Sequence, residues 1–152
     1  MIGTIKILLS NGDIYEGEHS NGVPHGIGKV KMINGNFYDG SWINGKMYGL
    51  GTLHLANGIK LTGSFQSGLL MKKGKINYQD NETYEGELKN SEPNGYGIYT
   101  YKNGSKFEGN FKFGLKNGNG IFTHPDGFVD HEVWDNGSLV KTSSGIILIN
   151  KF

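Results

Sequence analysis

The sequence has no cysteine, no arginine, a single alanine (Ala56) and only 3 prolines in 152 residues. Each absence excludes something. Without cysteine there are no disulfide scaffolds, thiolate zinc sites or cysteine nucleophiles. Without arginine, and with a net charge of only +1, the chain lacks the basic face and bidentate guanidinium groups of a dedicated nucleic-acid binder. Scarce proline and no sustained Gly-X-Y triplet exclude collagen. One alanine set against 26 glycines excludes a mostly helical fold, since a glycine inside a helix costs about 1 kcal/mol. No apolar run approaches the ~18 residues of a membrane-spanning helix. The short run Ile5 to Leu9 lacks the length and cleavage pattern of a signal peptide. The expected location is therefore cytoplasmic.

What is present is glycine, asparagine and aromatic residues, the last at 12%, in a chain of one-domain size. Aromatic content and balanced charge argue against disorder. The glycines are periodic. Asn11-Gly12, Asn34-Gly35, Asn57-Gly58, Asp80-Asn81, Asn103-Gly104 and Asp126-Gly127 recur in steps of 23 residues. Tyr15, Tyr38, Leu61, Tyr84, Phe107 and Asp130 keep that step, as do Gly17, Gly40, Gly63, Gly86 and Gly109. A third column is His19, Trp42, Phe65, Leu88, Phe111 and Trp134. A fixed period over most of a chain describes a repeat array, with each unit packing on its neighbours.

Each unit holds two strand patterns. The first is Tyr-x-Gly-x-aromatic, as in Tyr38 to Trp42. The second alternates from a glycine, as in Gly51 to Leu55. Its in-facing pairs are Ile7/Leu9, Val30/Met32, Leu53/Leu55, Ile76/Tyr78, Tyr99/Tyr101 and Phe122/His124. Register follows from the loops. A two-residue Asn34-Gly35 loop would set Lys31 against Tyr38. A three-residue loop, Ile33-Asn34-Gly35 with glycine left-handed, sets Val30 against Tyr38 and Gly28 against Gly40. Only the second keeps the apolar positions on one face. The other connection is expected to run from about Ile43 to Leu50 around Asn44-Gly45-Lys46, with equivalent tips at Asn21-Gly22, Ser67-Gly68, Phe113-Gly114 and Asn136-Gly137.

Tyr38 to Gly51 carries Tyr-x-Gly-x-Trp-x-x-Gly-x-x-x-Gly-x-Gly, which resembles the MORN repeat (membrane occupation and recognition nexus). Tyr15 to Gly28 and Phe107 to Gly120 match well. Tyr84 to Gly97 lacks the middle glycine, at Ser91, and the unit from Leu61 has lost its tyrosine and carries Lys72 at a glycine position. About six units, degenerate ones included, cover nearly the whole chain. The resemblance implies an elongated, twisted, single-layer antiparallel sheet of β-hairpins with a groove, and a scaffold or binding role. The expected divisions are an N-terminal cap half-repeat (1–12), regular repeats (13–129) and a degenerate C-terminal cap (130–152), with Gly145 to Asn150 as a terminal strand.

No catalytic constellation emerges. His19, His25, His54, His124 and His131 fall in different columns, and His25 reads as a turn and packing residue. Glu16/Glu18, Asp39, Glu85/Glu87 and Glu108 alternate against the aromatic face and read as solvated surface, not as a general acid and base. Gly95-Tyr96-Gly97 and Gly118-Asn119-Gly120 do not continue into a nucleotide loop. The expectation is a non-enzyme without metal or cofactor.

A single-layer sheet has no second layer to cover its rings, so part of their area should stay exposed as a partner groove. The residues expected to line it are Tyr38, Trp42, Phe65, Tyr84, Tyr99, Tyr101, Phe107 and Phe111. The expected occupant is a protein partner, as an extended peptide, a helix or a domain surface. A second reading is a peripheral adaptor on anionic phospholipid through Lys29, Lys31, Lys72, Lys73 and Lys75. Neighbouring acids weigh against it. Open sheet ends leave edges at which a homodimer can form.

Overall fold

The computed structural model describes residues 3–144. Thirteen strands follow one another in chain order in one antiparallel sheet. They are β1 (Gly3–Leu8), β2 (Ile14–Ser20), β3 (Val23–Lys31), β4 (Phe37–Ile43), β5 (Lys46–His54), β6 (Lys60–Gln66) and β7 (Leu69–Asn77). After a 3-10 turn, Gln79–Asn81, come β8 (Thr83–Lys89), β9 (Glu92–Thr100), β10 (Lys106–Lys112), β11 (Leu115–Thr123), β12 (Val129–Asp135) and β13 (Ser138–Ser144). At about 4.8 Å per strand step the array runs on the order of 58 Å. The segment Gly145 to Asn150 lies outside the described residues.

The loop arithmetic holds. Val30 opposes Tyr38 and Gly28 opposes Gly40. The Gly35 amide donates to the Met32 carbonyl at 3.0 Å, and Gly35 has φ +88°. The in-facing pairs of the second strand join the core or pack against it, from Ile7 to Phe122, and His124 meets Phe122 edge to face.

The other connection is shorter than expected. Ile43 pairs with Lys46, so Asn44-Gly45 alone makes the turn, with φ +49° and +78°. Positive φ at both positions matches the twist of the flanking strands. The second strand therefore starts at Lys46, five residues before Gly51. A bulge absorbs the surplus: register shifts between Gly40 and Trp42, and Gly49 sits opposite with φ +81°. From Asn44-Gly45 onward each two-residue turn is also tied to the preceding unit, as by the Gly45 amide donating to the Pro24 carbonyl at 2.8 Å.

Candidate functional site

The strand glycines make flat places on which rings lie. A Cβ on Gly51 would stand 2.2 Å from the Tyr38 hydroxyl oxygen, and one on Gly28 would stand 2.2 Å from that of Tyr15. Each tyrosine is thus stretched across the glycine pair beside it. The Tyr38 hydroxyl donates to the Ser41 carbonyl at 3.1 Å, and that of Tyr84 to the Glu87 carbonyl at 2.6 Å. The next unit roofs the ring. Trp42 stands edge to face on Tyr15 at 5.2 Å, Phe65 on Tyr38 at 5.1 Å and Phe111 on Tyr84 at 5.0 Å. The Trp42 indole N–H donates to the Gly28 carbonyl at 3.0 Å.

This self-roofing corrects the expected groove. Tyr38, Trp42, Phe65, Tyr84, Phe107 and Phe111 are all buried, none more than 6% exposed. They are the core. A single layer can cover its own rings when a ring from the following unit closes over each glycine gap. Burial pushes the Tyr38 phenol up to about 12 and that of Tyr84 well above its ordinary value.

Tyr99 and Tyr101, the remaining two of the eight, are half-buried. They belong to a second row, Tyr78, Tyr99, Tyr101 and Phe122, with successive ring centres 4.8 to 5.7 Å apart. Burial raises the Tyr99 and Tyr101 phenols, Tyr101 to about 12. The Tyr99 hydroxyl donates to the Glu82 carboxylate. Recesses open along this face. One of about 210 Å³ touches Leu9, Met32, Trp42 and Met47. One of about 260 Å³ touches Tyr99, Tyr101, Phe111, Leu115 and Trp134. A third, larger than these two at about 580 Å³, touches Tyr101, Phe122, Trp134, Leu139, Glu82 and Glu132.

Lys116 lines both of the last two recesses. Its ammonium lies 4.3 Å from the Trp134 ring centre, 4.4 Å from that of Phe107 and 5.1 Å from that of Tyr101. Burial holds its pKa below the ordinary lysine value, and the Glu132 charge offsets only part of that. Glu132 is 9% exposed, and its Oε2 accepts the Trp134 indole N–H at 2.7 Å. Sequence reasoning passed over this box, although two broken columns mark it. Lys116 interrupts Pro24, Met47, Leu70, Pro93 and Leu139, while Glu132 interrupts five glycines from Gly17 to Gly109.

The five lysines do not form one cluster. Lys29 and Lys31 lie on β3 and the others on β7, four strand steps or roughly 19 Å away. Carboxylates interleave with them. Lys29 pairs with Asp39 at 3.3 Å, while Lys73 opposes Glu87 and Lys75 opposes Glu85. Two acids expected to be merely solvated have a local task. Glu18 and Glu87 accept the Ile27 and Tyr96 amides across the bulges at Gly26 and Gly95. His25 Nδ1 accepts the Asn44 amide at 3.4 Å, in keeping with its turn role. His124 meets Asp130 at 2.6 Å. Among the described residues no group of three histidine or acidic side chains could hold a metal ion.

The MORN repeat model matches residues 15–37, 38–60, 84–106 and 107–129, more than half of the chain. The chain belongs to the MORN-repeat family. The units from Leu61 and Asp130, which carry no aromatic ring at that first position, fall outside these matches. No curated protein matches the chain. Among solved structures, the sheet is similar to the SAS-4 (dCPAP) TCP domain of Drosophila melanogaster, solved in complex with a proline-rich motif of Ana2. The two share 12% identity over 95% of this chain and 90% of that one, with a TM-score of 0.51. The TCP10 domain of Danio rerio CPAP matches at 13% identity over 93% and 89%, with a TM-score of 0.32. The first of these likenesses is one of fold.

Proposed function

We propose that this MORN-repeat chain is a non-catalytic scaffold that binds a protein partner as an extended segment along the ring-bearing face. The observation that carries the reading is the second row. Met32, Met47, Leu55, Tyr78, Tyr99 and Tyr101 stay half-buried beside the sealed ladder, and recesses open next to them. Half-exposed aromatics and methionines bordering clefts suit a segment that brings its own side chains. A proline-rich segment fits well, because its backbone is already extended and its ordering cost is low. The Drosophila TCP domain, of similar fold, was solved with such a motif.

The test is capture of a partner from the native host, repeated with surface variants. Met32→Lys and Tyr101→Ser alter the ring face, whereas Leu50→Lys alters the opposite face, where Leu50 is 75% exposed. Capture is expected to fail with the first two and survive the third. Survival with both ring-face variants, or loss with Leu50→Lys alone, overturns the assignment.

A further inference from the structure

Two departures from the repeat meet at one place on the ring face. Lys116 stands where other units carry proline, methionine or leucine, and Glu132 stands where five units carry glycine. Neither departure is what the packing of the column calls for, since an apolar residue at 116 would bury without desolvating a charge. The two groups do not close on each other either. Among the described residues the ion pairs are Lys6–Glu16, Lys29–Asp39 and His124–Asp130. Instead the ammonium faces three rings, and the carboxylate is held by the Trp134 indole.

This arrangement has the parts of a cation site: ring faces of Trp134, Phe107 and Tyr101 within about 5 Å of one positive charge, and carboxylates at its rim. Glu132 and Glu82 each commit Oε2 to a neighbouring ring's N–H or O–H and both border the 580 Å³ recess. Lys116 borders that recess and the 260 Å³ one, so its side chain is a shared wall. Its stem starts next to the Phe113-Gly114 turn, and a lysine on four flexible carbons can carry its ammonium outward to water. That movement would free the ring faces and regain hydration for the ammonium.

We propose that the box receives an arginine side chain of a partner protein, with Lys116 as its resident plug. Guanidinium is favoured over ammonium on physical grounds. It is planar, stacks on ring faces, is weakly hydrated and carries five donors for carboxylate oxygens. A partner's ammonium would merely replace one primary ammonium by another. The chain has no arginine of its own, so none can compete from within. The inference rests on the protein-binding reading only for the origin of the arginine.

The box can be tested alone. The full chain, labelled with nitrogen-15, is titrated with N-acetyl-arginine N-methylamide while the two indole N–H signals are followed. Trp134 is expected to shift and Trp42, at the other end of the face, to stay. Lys116→Met, which places the residue of Met47 in its column, should bind the probe roughly tenfold more tightly. Adding Glu132→Gln should remove that gain. The neutral isostere N-acetyl-citrulline N-methylamide should not bind, and the lysine analogue should bind more weakly than arginine. Lys116→Gln, with circular dichroism on both variants, guards against a misfolded one. Unchanged or weaker binding in a folded Lys116 variant overturns the proposal, as does equal binding of citrulline or lysine. Failure here with intact ring-face dependence of partner capture removes only the arginine site. The converse result removes the protein-binding reading instead.

Discussion

The units beginning at Tyr38 and at Leu61 occupy the same sheet with the same glycine pairing, yet they fill the space above the glycines differently. In the first, Gly40 opposes Gly51 and the Tyr38 ring covers both. In the second, Gly63 opposes Gly74 and no ring lies there. The nearest side-chain atoms are Leu70 Cδ1 at 2.9 Å from a Cβ on Gly63 and Leu88 Cδ1 at 2.9 Å from one on Gly74. Leu70 is fully buried and Leu88 is 5% exposed. One unit uses a long flat side chain of its own first strand; the other combines Leu70 of its own second strand with Leu88 from the following unit. The glycine pair thus specifies a gap to be filled, and the family tyrosine is one way of filling it.

The largest expected effect comes from emptying the tyrosine solution. Tyr38→Ala removes a fully buried ring that touches Trp42 and Phe65, and the gap lies over backbone that cannot collapse into it. The expected cost is about 3–5 kcal/mol, read from urea unfolding. A loss below 1 kcal/mol would mean that the neighbouring rings close the gap as the leucines do, and the contrast between the units would disappear.

The limits of sequence reading have the same origin. Period, register and the in-facing pairs were legible because they depend on spacing and on which residues can take a left-handed turn. The three-residue loop at Ile33-Asn34-Gly35 followed from parity alone. The bulge at Gly49 was not legible, because a glycine column does not reveal whether it serves a loop or a strand. Nor was the burial of Tyr38, Trp42 and Phe111, since side-chain roofing across units depends on direction and twist. The Lys116 box was written in the sequence as two broken columns, but only the coordinates bring positions 116 and 132 together.

A second break in the comparison runs against the family pattern. Leu61→Tyr restores the consensus residue, yet the volume it needs is already occupied by Leu70 and Leu88. Overpacking should destabilise the chain by about 1–3 kcal/mol. Stabilisation would show that the leucines only loosely fill the gap.

A smaller effect is confined to alkaline solution. The folded Tyr38 phenol is raised above its ordinary value of 10.0 to about 12, with burial as the main cause. Its stabilising contribution is complete below pH 10 and is lost as pH rises from there through 12. Stability of the native chain should fall over that window, and Tyr38→Phe should flatten part of the fall. Leu61 has no titrating group, so Leu61→Val should leave the slope as it is. An unchanged alkaline slope in Tyr38→Phe would mean that the ring is not held in the dry position described.

The smallest effect separates the two units at the bulge. Gly26, Gly49, Gly95 and Gly118 all have φ between +81° and +102°, and Lys72, their counterpart in the Leu61 unit, has φ +65°. A lysine held there bears backbone strain that glycine would not. Lys72→Gly relieves it but also gives the unfolded chain more freedom, which offsets part of the gain. The net expectation is stabilisation of about 0.5–1 kcal/mol, seen as a rise of roughly 1–4 °C in Tm. Lys72→Ala should give no such rise, because alanine keeps the Cβ that makes the conformation costly. If both substitutions act alike, the lysine side chain and not its backbone sets the stability of this unit. The bulge would then join the glycine gap as a feature that the array meets in more than one way.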